Sequence, residues 1–486
     1  ADKGEIESLI DMHADAMWMV AYDGIEVGAA ALGETLRDRR KLSVDEMTDE
    51  DRMLLRSMLY ATLAIYIAVK KIAAQFKIAR IAYFGDYAYH LPVQILASRN
   101  NIPVTNISYA YNRDVDQRYL SLRPGHAFTH MMQQVDRWDA YRDIPIDTDA
   151  VARISDGGLY RLRGHGGVST YSPNWVKSPG DVLQELKLAQ GRRTLIAYTS
   201  STDELVCNRE FMRILGGAYR HGGPFKDQSE WLRHLIDWVG KRSDLQLIIR
   251  LHPRMVASWR HDGEASQYAQ LKRELSSVPG NVAIVWADSK ISSYNIAEFA
   301  DIVLTAWSSI GLELARFGIP VVAAFSKVAP FPIDGFTRFS ETIEGYFRTI
   351  DCALNRPASI DSIIEAYRWT NFLHWSPTID ISDVIPRSHY DAVPPHSVPH
   401  QRNKILRVIA AGDDLIDLHM SHLPKTAAAY DAERAAVIAA LEQCVLFFMS
   451  GEYSGQQAAP LMEITNGAVA VGDLPAVSAD DRGNIT

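Results

Sequence analysis

Apolar runs alternate with amphipathic stretches between residues 190 and 325. Helical spacing covers residues 231–241, 260–277, 292–299 and 309–317, and the apolar runs cover 193–201, 245–251, 281–286, 302–305 and 320–325. Runs without polar alternation predict strands that are buried on both faces, as in a parallel sheet covered by helices. The pattern therefore predicts a doubly wound α/β lobe with a parallel sheet.

The first part of the chain shows this alternation less often. Residues 51–75 predict a helix, and residues 80–86 and 101–108 predict two strands joined by another helix. The longest apolar run, residues 57–69, holds only thirteen residues, too few to span a bilayer, so it favours a buried helix over a membrane-surface helix. Because the strands are fewer than a complete nucleotide-binding lobe has, and Ala1 is not methionine, we expect further residues upstream.

Composition divides the chain into four parts. A segment rich in Gly, Ser, Pro and Arg, residues 156–180, is typical of a linker or mobile loop. We therefore predict a first α/β lobe over residues 1–185, a second over 186–335, C-terminal helices partly returning to the first lobe over 336–450, and a low-information tail over 451–486. Two Rossmann-type lobes with parallel sheets and a central cleft are expected.

Charge and cysteine content exclude several classes of protein. The 486 residues are 47% hydrophobic and 22% charged, as in a globular protein of two domains. A net charge of −9 gives no support for a nucleic-acid-binding surface. The three cysteines lie far apart, with no disulfide framework or zinc spacing, which favours a reducing cytoplasm.

Two predicted strands of the second lobe end in polar residues. His252 directly follows the run that ends at Leu251, and Pro253 prevents that strand from continuing. Ligands of open parallel sheets bind at such carboxyl ends, where an imidazole can donate a hydrogen bond to a phosphate and stabilise its developing charge. The alternative is a histidine that only caps backbone groups of its loop.

The second polar end combines two serines with the start of a helix. Ser308 and Ser309 stand where free backbone N–H groups and the helix dipole attract anions. Gly311 allows close approach to a ligand, and Glu313 lies one turn into the helix, where it can accept hydrogen bonds from ribose hydroxyls. The alternative is a serine that caps the helix.

Taken together, the motifs resemble those of a known family. Strand-His-Pro at His252, Ser-Ser-x-Gly-x-Glu from Ser308, and Gly-x-Pro-Val from Gly318 are similar to the C-terminal lobe of bacterial GT-B capsule polysaccharide biosynthesis proteins, including Kdo transferases. GT-B sialyltransferases that use CMP-sugars share the His-Pro and a serine pair. Teichoic-acid glycerophosphotransferases have a similar His-Pro and a Tyr-Ser-Ser, where this chain has Trp307 before its serines.

The resemblance covers about a third of the chain, residues 190–325, and implies a GT-B-like fold and a set of roles. His252 would contact the donor phosphate, Ser308 and Ser309 would bind the same phosphate, and Glu313 would hold the ribose. Residues 198–204 would line the cleft between the lobes. The other predicted donor-binding residues are Arg250, Pro253, Gly311, Ser200 and Ser201.

The first lobe offers one well-placed catalytic base. Asp86 ends a predicted strand, where a carboxylate could deprotonate an acceptor hydroxyl, although it could equally cap the following helix. Asp203 and Glu204 are rival bases. The Asp-Asp-Gly or Glu-Asp-Gly motif of the sialyltransferases is not found at this place. Five arginines assigned to loops could bind an acidic sugar or phosphate, or be solvated: Arg113, Arg118, Arg123, Arg161 and Arg163.

The sequence therefore predicts a cytoplasmic glycosyltransferase, peripheral at the inner membrane or fully soluble. It would move a Kdo- or sialic-acid-like sugar from a CMP-activated donor to a surface glycan or glycolipid. No cofactor and no metal are expected, since no Asp-x-Asp or His cluster follows a strand. The alternatives are a UDP- or GDP-sugar transferase, a CDP-polyol phosphotransferase, and a non-catalytic nucleotide-binding scaffold.

Overall fold

The structure is a computed structural model of the chain. It describes residues 3–85, 87–109, 119–125, 134–162, 179–215, 222–257, 263–356, 358–381, 408–412 and 414–448. Two β-sheets with helices around them give an α/β fold, as the sequence predicts.

The larger sheet is parallel throughout. Its six strands are β4 (Arg193–Tyr198), β5 (Leu245–Arg250), β6 (Val282–Val285), β7 (Ile302–Thr305), β8 (Val321–Ala323) and β9 (Thr337–Arg338), in the order β6-β5-β4-β7-β8-β9. This is the order of the Rossmann fold, with β4 as its first strand. Five of these strands match the apolar runs, whereas β9 has only two residues and therefore too short a pattern to predict.

Helices cover both faces of this sheet because its strands are apolar on both sides. One face packs against α8 (Gln228–Gly240), α9 (Ser266–Glu274) and α12 (Ile343–Asn355). The other packs against α5 (Thr148–Leu162), α6 (Pro179–Leu186), α10 (Ser293–Ala297), α11 (Ile310–Ala315), α13 (Ile360–Thr370), α14 (Leu415–Ser421) and α15 (Ala427–Phe448). Strand residues such as Ile196, Ile248 and Val303 are fully buried between the two layers.

The smaller sheet is mixed. Its order is β1 (Ile81–Phe84), β2 (Val104–Tyr109), β3 (Tyr119–Pro124) and β10 (Thr378–Asp380), and β3 pairs antiparallel with both of its neighbours. The prediction of parallel sheets in both lobes is therefore wrong here, since only β1 and β2 run parallel. No strong apolar run marks β3 or β10, because one face of this sheet is partly exposed. In the described part of the chain, the C-terminal strand β10 joins this sheet, and Leu415 of α14 packs with Leu122 of β3.

Four helices accompany the smaller sheet: α1 (Lys3–Asp11), α2 (Val27–Arg39), α3 (Asp49–Gln75) and α4 (His90–Arg99). Helix α3 starts at a capping box formed by Thr48 and Asp51. By length and composition alone α3 could cross a membrane, but Leu55, Leu59 and Leu63 are fully buried against its neighbours. It packs through one face and leaves the other exposed, whereas the sequence predicts a buried helix.

The two parts of the fold meet along helices α2 and α7 (Thr202–Ile214). Gly33 of α2 faces the Phe211 ring so closely that a Cβ there would lie 2.9 Å from the ring. Arg40, which follows α2 in a left-handed conformation, donates hydrogen bonds to the carbonyl oxygens of Arg254 and Val256, each at 2.8 Å. These contacts fix the last turn of α7 and the turn after β5 against the N-terminal helices.

Two predictions for loops are corrected by the structure. Residues 156–162, assigned to a linker, belong to helix α5, whose Gly158 packs tightly against Phe317. Arg161 lies in that helix and Arg123 in strand β3, whereas Arg113, Arg118 and Arg163 lie outside the described residues. Helix α5 packs on the larger sheet, although the predicted boundary at residue 185 assigns it to the first lobe. The domain boundaries stay a prediction.

Candidate functional site

The predicted donor site lies at the point where strand order reverses in the larger sheet. Tyr198 of β4 is in register with Arg250 of β5 on one side and with Thr305 of β7 on the other. Neighbouring strands are about 4.8 Å apart, so the ends of β5 and β7 lie about 10 Å apart with the end of β4 between them. Ligands of such sheets bind in the crevice beyond this switch point.

His252 is held by its own loop in one tautomer. Its backbone N–H donates to the Thr199 hydroxyl at 2.9 Å, and its Nδ1 accepts a hydrogen bond from the backbone N–H of Arg254 at 3.2 Å. Pro253 starts the short 3₁₀ turn that makes the second contact possible. Because Nδ1 accepts, the proton of the neutral ring resides on Nε2. The alternative role predicted for this histidine, capping a backbone group, is thus fulfilled by Nδ1.

His252 is uncharged at neutral pH. Burial lowers its pKa, and the positive charges of Arg254 and Arg250 lower it further, to about 4. A histidine with this pKa gives a hydrogen bond to an anion without carrying a net charge of its own. The positive potential at this strand end comes chiefly from Arg250, because Asp203 offsets the charge of Arg254.

Arg250 is a buried cation in strand β5. Its side chain is 1% exposed and donates to the Trp286 carbonyl at 2.6 Å and to the Ser293 hydroxyl at 3.4 Å. In the described part of the chain no carboxylate forms an ion pair with it, and its Nη2 has no hydrogen-bond partner. Burial lowers the pKa of its guanidinium to about 10, so it stays charged at pH 7. A buried charge without a counter-ion is costly unless its potential serves an anion.

The serine pair opens helix α11 with free hydroxyls. The Ser308 N–H donates to the Thr305 hydroxyl at 3.0 Å, and Ser309 precedes the helix without a capping bond from its side chain. Ser309 therefore does not play the alternative role predicted for the pair, in which a serine side chain caps the helix. A Cβ on Gly311 would lie 3.0 Å from the Phe331 ring, so this glycine serves close packing.

Glu313 is buried and fully engaged inside the protein. Its two carboxylate oxygens accept hydrogen bonds from Arg161 at 2.7 Å and from the Tyr294 hydroxyl at 2.6 Å. Burial disfavours its charge, but Arg161 and Tyr294 outweigh burial and hold its pKa below the ordinary value. A ribose that bound Glu313 would have to share these oxygens with Arg161 and Tyr294. The sequence did not reveal this competition, because both partners are distant in the chain.

Ser200 and Ser201 are held by partners that the sequence did not reveal. The Gln228 side chain accepts from the Ser200 N–H at 2.8 Å and donates to the Ser200 carbonyl at 3.1 Å. The Ser201 hydroxyl lies between Asp203 and Arg254, accepting from the arginine at 3.0 Å. Both serines are buried, so a donor would contact their side chains only after this loop moves.

Asp203 and Arg254 form a buried ion pair at the crossing of α7 and the end of β5. Arg254 also donates to the carbonyl oxygen of Arg37 in α2 at 2.7 Å, so the pair joins the larger sheet to the N-terminal helices. Burial raises the pKa of Asp203, and Arg254 opposes that rise. Asp203 is thus engaged structurally. Glu204, the other rival base, also lies 3.5 Å from Arg254, but its side chain is 42% exposed.

The predicted base Asp86 lies outside the described residues. An aromatic cluster flanks its position: the Tyr83 and His90 rings stack at 4.3 Å, and Tyr87 and Tyr89 stack at 5.3 Å. Burial lowers the pKa of His90 to about 4, so this ring is also neutral at pH 7.

A cavity of about 360 Å³ opens beside the switch point. Its wall combines apolar side chains with amides and cations, and none of the predicted donor-binding residues lines it. The lining residues are Leu42, Thr202, Leu205, Val206, Arg209, Lys226, Asp227, Gln228, Ser229, Gln267, Gln270, Trp307 and Phe325. Two of these residues carried a sequence signal: Thr202 lies in the segment 198–204 that is predicted to line the cleft, and Trp307 precedes the serine pair.

Comparison with known proteins gives distant likenesses only. No family model and no curated protein matches the chain. Among solved structures, KpsC, beta Kdo 2,4 transferase of Thermosulfurimonas dismutans, is similar over 60% of this chain and 79% of its own, with 11% identity and a TM-score of 0.36. UDP-GlcNAc 2-epimerase of Methanocaldococcus jannaschii is similar over 66% of this chain and 80% of its own, with 12% identity and a TM-score of 0.30. At these scores neither carries an argument about this chain, and the fold rests on its strand order.

Proposed function

We propose that this protein is a GT-B-like glycosyltransferase that moves an acidic, Kdo- or sialic-acid-like sugar from a CMP-activated donor to a surface glycan or glycolipid. The observation that carries the proposal is the end of β5, where neutral His252 stands between two buried arginines. The serine pair opens a helix two strands away in the same sheet. Both features suit a phosphate in the crevice between them.

In the proposed reaction His252 donates its Nε2–H to the phosphate oxygen that becomes charged as CMP leaves. The fixed donor needs no reorganisation during the reaction, and the potential of Arg250 and Arg254 adds to its effect. Ser308 and Ser309 hold the same phosphate with their hydroxyls and the helix N-terminus. We expect His252 Nε2 and the serine hydroxyls to lie within about 6 Å of a common phosphate position.

The acceptor side of the proposal assigns the catalytic base to Asp86 in an acceptor-binding lobe over residues 1–185. An acceptor hydroxyl must lose its proton as it attacks the anomeric carbon, and a carboxylate at a strand end can take it. Asp86→Asn is expected to abolish transfer and leave CMP binding within about twofold, because the base does not touch the donor. If this variant stays active, Glu204 becomes the candidate, since Asp203 is engaged by Arg254.

A nucleotide screen tests the donor. CMP and CDP should raise the melting temperature more than UMP, UDP or GDP, because a ligand that binds only the folded state stabilises it by mass action. A larger shift with UDP or GDP would exclude the cytidine donor. Turnover of CDP-glycerol without turnover of a CMP-sugar would support the polyol phosphotransferase, and binding of CMP without any transfer would support the scaffold.

The reaction is proposed to need neither a cofactor nor a metal. No group of three or more metal-binding side chains occurs in the described residues, but metal independence stays a prediction. Transfer activity measured with EDTA and with added Mg²⁺ or Mn²⁺ tests it directly. An activity that EDTA abolishes and Mg²⁺ restores would contradict the proposal.

We also propose a cytoplasmic location with peripheral binding to the inner membrane. The end of α3 carries Ile72 at 49% exposure, and Phe76 next to it is 65% exposed, beside the exposed Lys71 and Lys77. Apolar side chains flanked by lysines suit an anionic lipid surface. The double variant Ile72→Ser, Phe76→Ser should lower flotation with vesicles containing phosphatidylglycerol, and Met53→Ser, at the other end of α3, should not. Equal flotation with neutral vesicles would contradict the proposal.

A further inference from the structure

The cavity beside the switch point has the composition of a ligand site. Its apolar wall consists of Leu42, Leu205, Val206, Trp307 and Phe325. The Trp307 and Phe325 rings meet at 64° with 5.8 Å between their centres, which gives the wall a rigid corner. An apolar wall with a few placed polar groups is the usual form of a small-molecule site, and about 360 Å³ suits a monosaccharide rather than a longer glycan.

The polar groups in this cavity include two cations, Lys226 and Arg209, together with amides, hydroxyls and one carboxylate. Lys226 is exposed and forms no ion pair in the described part of the chain. Arg209 contacts a carboxylate, that of Glu210, only through Nε at 3.4 Å. The Gln267 amide oxygen accepts from the Thr202 N–H at 3.0 Å. The amide nitrogen of the same side chain therefore points away from Thr202, and it is a hydrogen-bond donor.

Two helices begin at the cavity and add to its positive potential. Helix α7 starts at Thr202 and α8 at Gln228, each with 13 residues, and both residues line the cavity. Helix N-termini favour anions by their dipole. The one carboxylate of the lining, Asp227, already caps α8 by accepting from the Glu230 N–H at 2.9 Å. Glu230 in turn accepts from the Lys226 backbone N–H at 2.5 Å, and Lys226 itself lines the cavity.

We propose that this cavity binds a monosaccharide-sized ligand that carries one carboxylate or phosphate group. Lys226 and Arg209 contact the anionic group, Gln267 hydrogen-bonds ring hydroxyls, and Trp307 packs against the apolar face of the ring. The site does not include His252, Ser308 or Ser309, so it is separate from the proposed contact with the donor phosphate. In a glycosyltransferase it would hold the acidic residue of an acceptor, and in a scaffold it would be a binding site in its own right.

Calorimetric titration with matched sugars tests the site. Glucuronate differs from glucose only at C6, where a carboxylate replaces the hydroxymethyl group, and glucose 6-phosphate carries a phosphate ester on the C6 hydroxyl. We expect glucuronate or glucose 6-phosphate to bind at least about tenfold more tightly than glucose, a difference of about 1.4 kcal/mol. The tighter of the two acids identifies the anionic group. No binding of either acid up to roughly 10 mM would overturn the proposal.

Two variants and a control locate the binding. Lys226→Met should weaken binding of the acidic sugar about tenfold, whereas Lys241→Met at the other end of α8, about 20 Å away, should change it less than twofold. Trp307→Leu should weaken glucose and glucuronate alike. Equal effects of the two lysine variants would overturn the assignment. Each variant's melting temperature is measured to show that it is folded.

A CMP arm separates this site from the proposed function. CMP at saturation should leave the affinity for the acidic sugar within about twofold, since the two sites are distinct. Direct competition would show that the cavity belongs to the donor site and would overturn the separate site. Binding of glucuronate through Lys226 without any binding of CMP would keep this inference and refute the cytidine donor.

Discussion

The two sheets of this protein differ in how completely they are buried. In the larger sheet β5 is buried at every position, whereas β1 of the smaller sheet alternates half-buried and exposed residues. Strands covered by helices on both faces must be apolar throughout, which fixes their pairing and leaves polar groups only at their ends. The comparison teaches that the larger sheet is the rigid frame for chemistry at strand ends, and the smaller sheet an adaptable surface.

The largest expected effect falls at the junction of the two regions. Asp203→Asn should lower the free energy of unfolding by about 3–5 kcal/mol, because the half-exposed Glu204, 3.5 Å away, is then the only carboxylate in the described residues that pairs with the buried Arg254. Glu344→Gln is the control, since that side chain is 84% exposed and contacts a different arginine. Urea denaturation of both variants measures the difference. A loss below about 1 kcal/mol for Asp203→Asn would show that the junction does not depend on this pair.

A pair of core variants compares the two sheets directly. Ile248→Ala in β5 should cost about 2–5 kcal/mol of unfolding free energy, because the side chain is fully buried and a cavity remains. Ile81→Ala in β1 removes a half-buried side chain and should cost about 1 kcal/mol. Equal losses in urea denaturation would contradict the difference in burial that separates the sheets.

Catalysis should depend on the larger sheet through His252. His252→Ala is expected to lower kcat about 100-fold, with a smaller change in the dissociation constant of CMP, because the bond strengthens as the phosphate gains charge. His234→Ala, on helix α8, is the control for a histidine away from the strand ends. Full turnover of His252→Ala would leave this ring with its capping role alone.

The smallest expected effect is a pH dependence. The folded pKa of His252, about 4, lies below the ordinary value of 6.5, so protonation favours unfolding. The stabilisation is complete above pH 6.5 and is lost as the pH falls towards 4. Between pH 7.5 and 5.5 the wild type should lose about 1 kcal/mol more than His252→Asn. His90→Asn, next to the smaller sheet, should likewise lose less stability than the wild type over this pH range, because burial alone lowers the pKa of His90. Identical slopes for wild type and both variants in urea denaturation would contradict the lowered values.

The sequence by itself determined the parallel sheet and the positions of its polar ends. Continuous apolar runs cannot be solvated, so β4, β5, β6, β7 and β8 had to be covered on both faces, and Pro253 and the serine pair marked where two of them stop. The smaller sheet gave weak signals because half-exposed strands tolerate polar residues. Strand β10 was not predictable, since it pairs with β3 more than 250 positions away in the chain.

Only the tertiary structure decided which polar residues are engaged. Glu313 meets Arg161, and Asp203 meets Arg254, across separations of 152 and 51 residues, and no local pattern encodes such pairs. The tautomer of His252 follows from one backbone N–H, and the cavity walls come from six separate segments. The physical reason is that burial of a charge or closure of a cavity depends on which surfaces come together. Periodicity along the chain records only which side of each element is apolar.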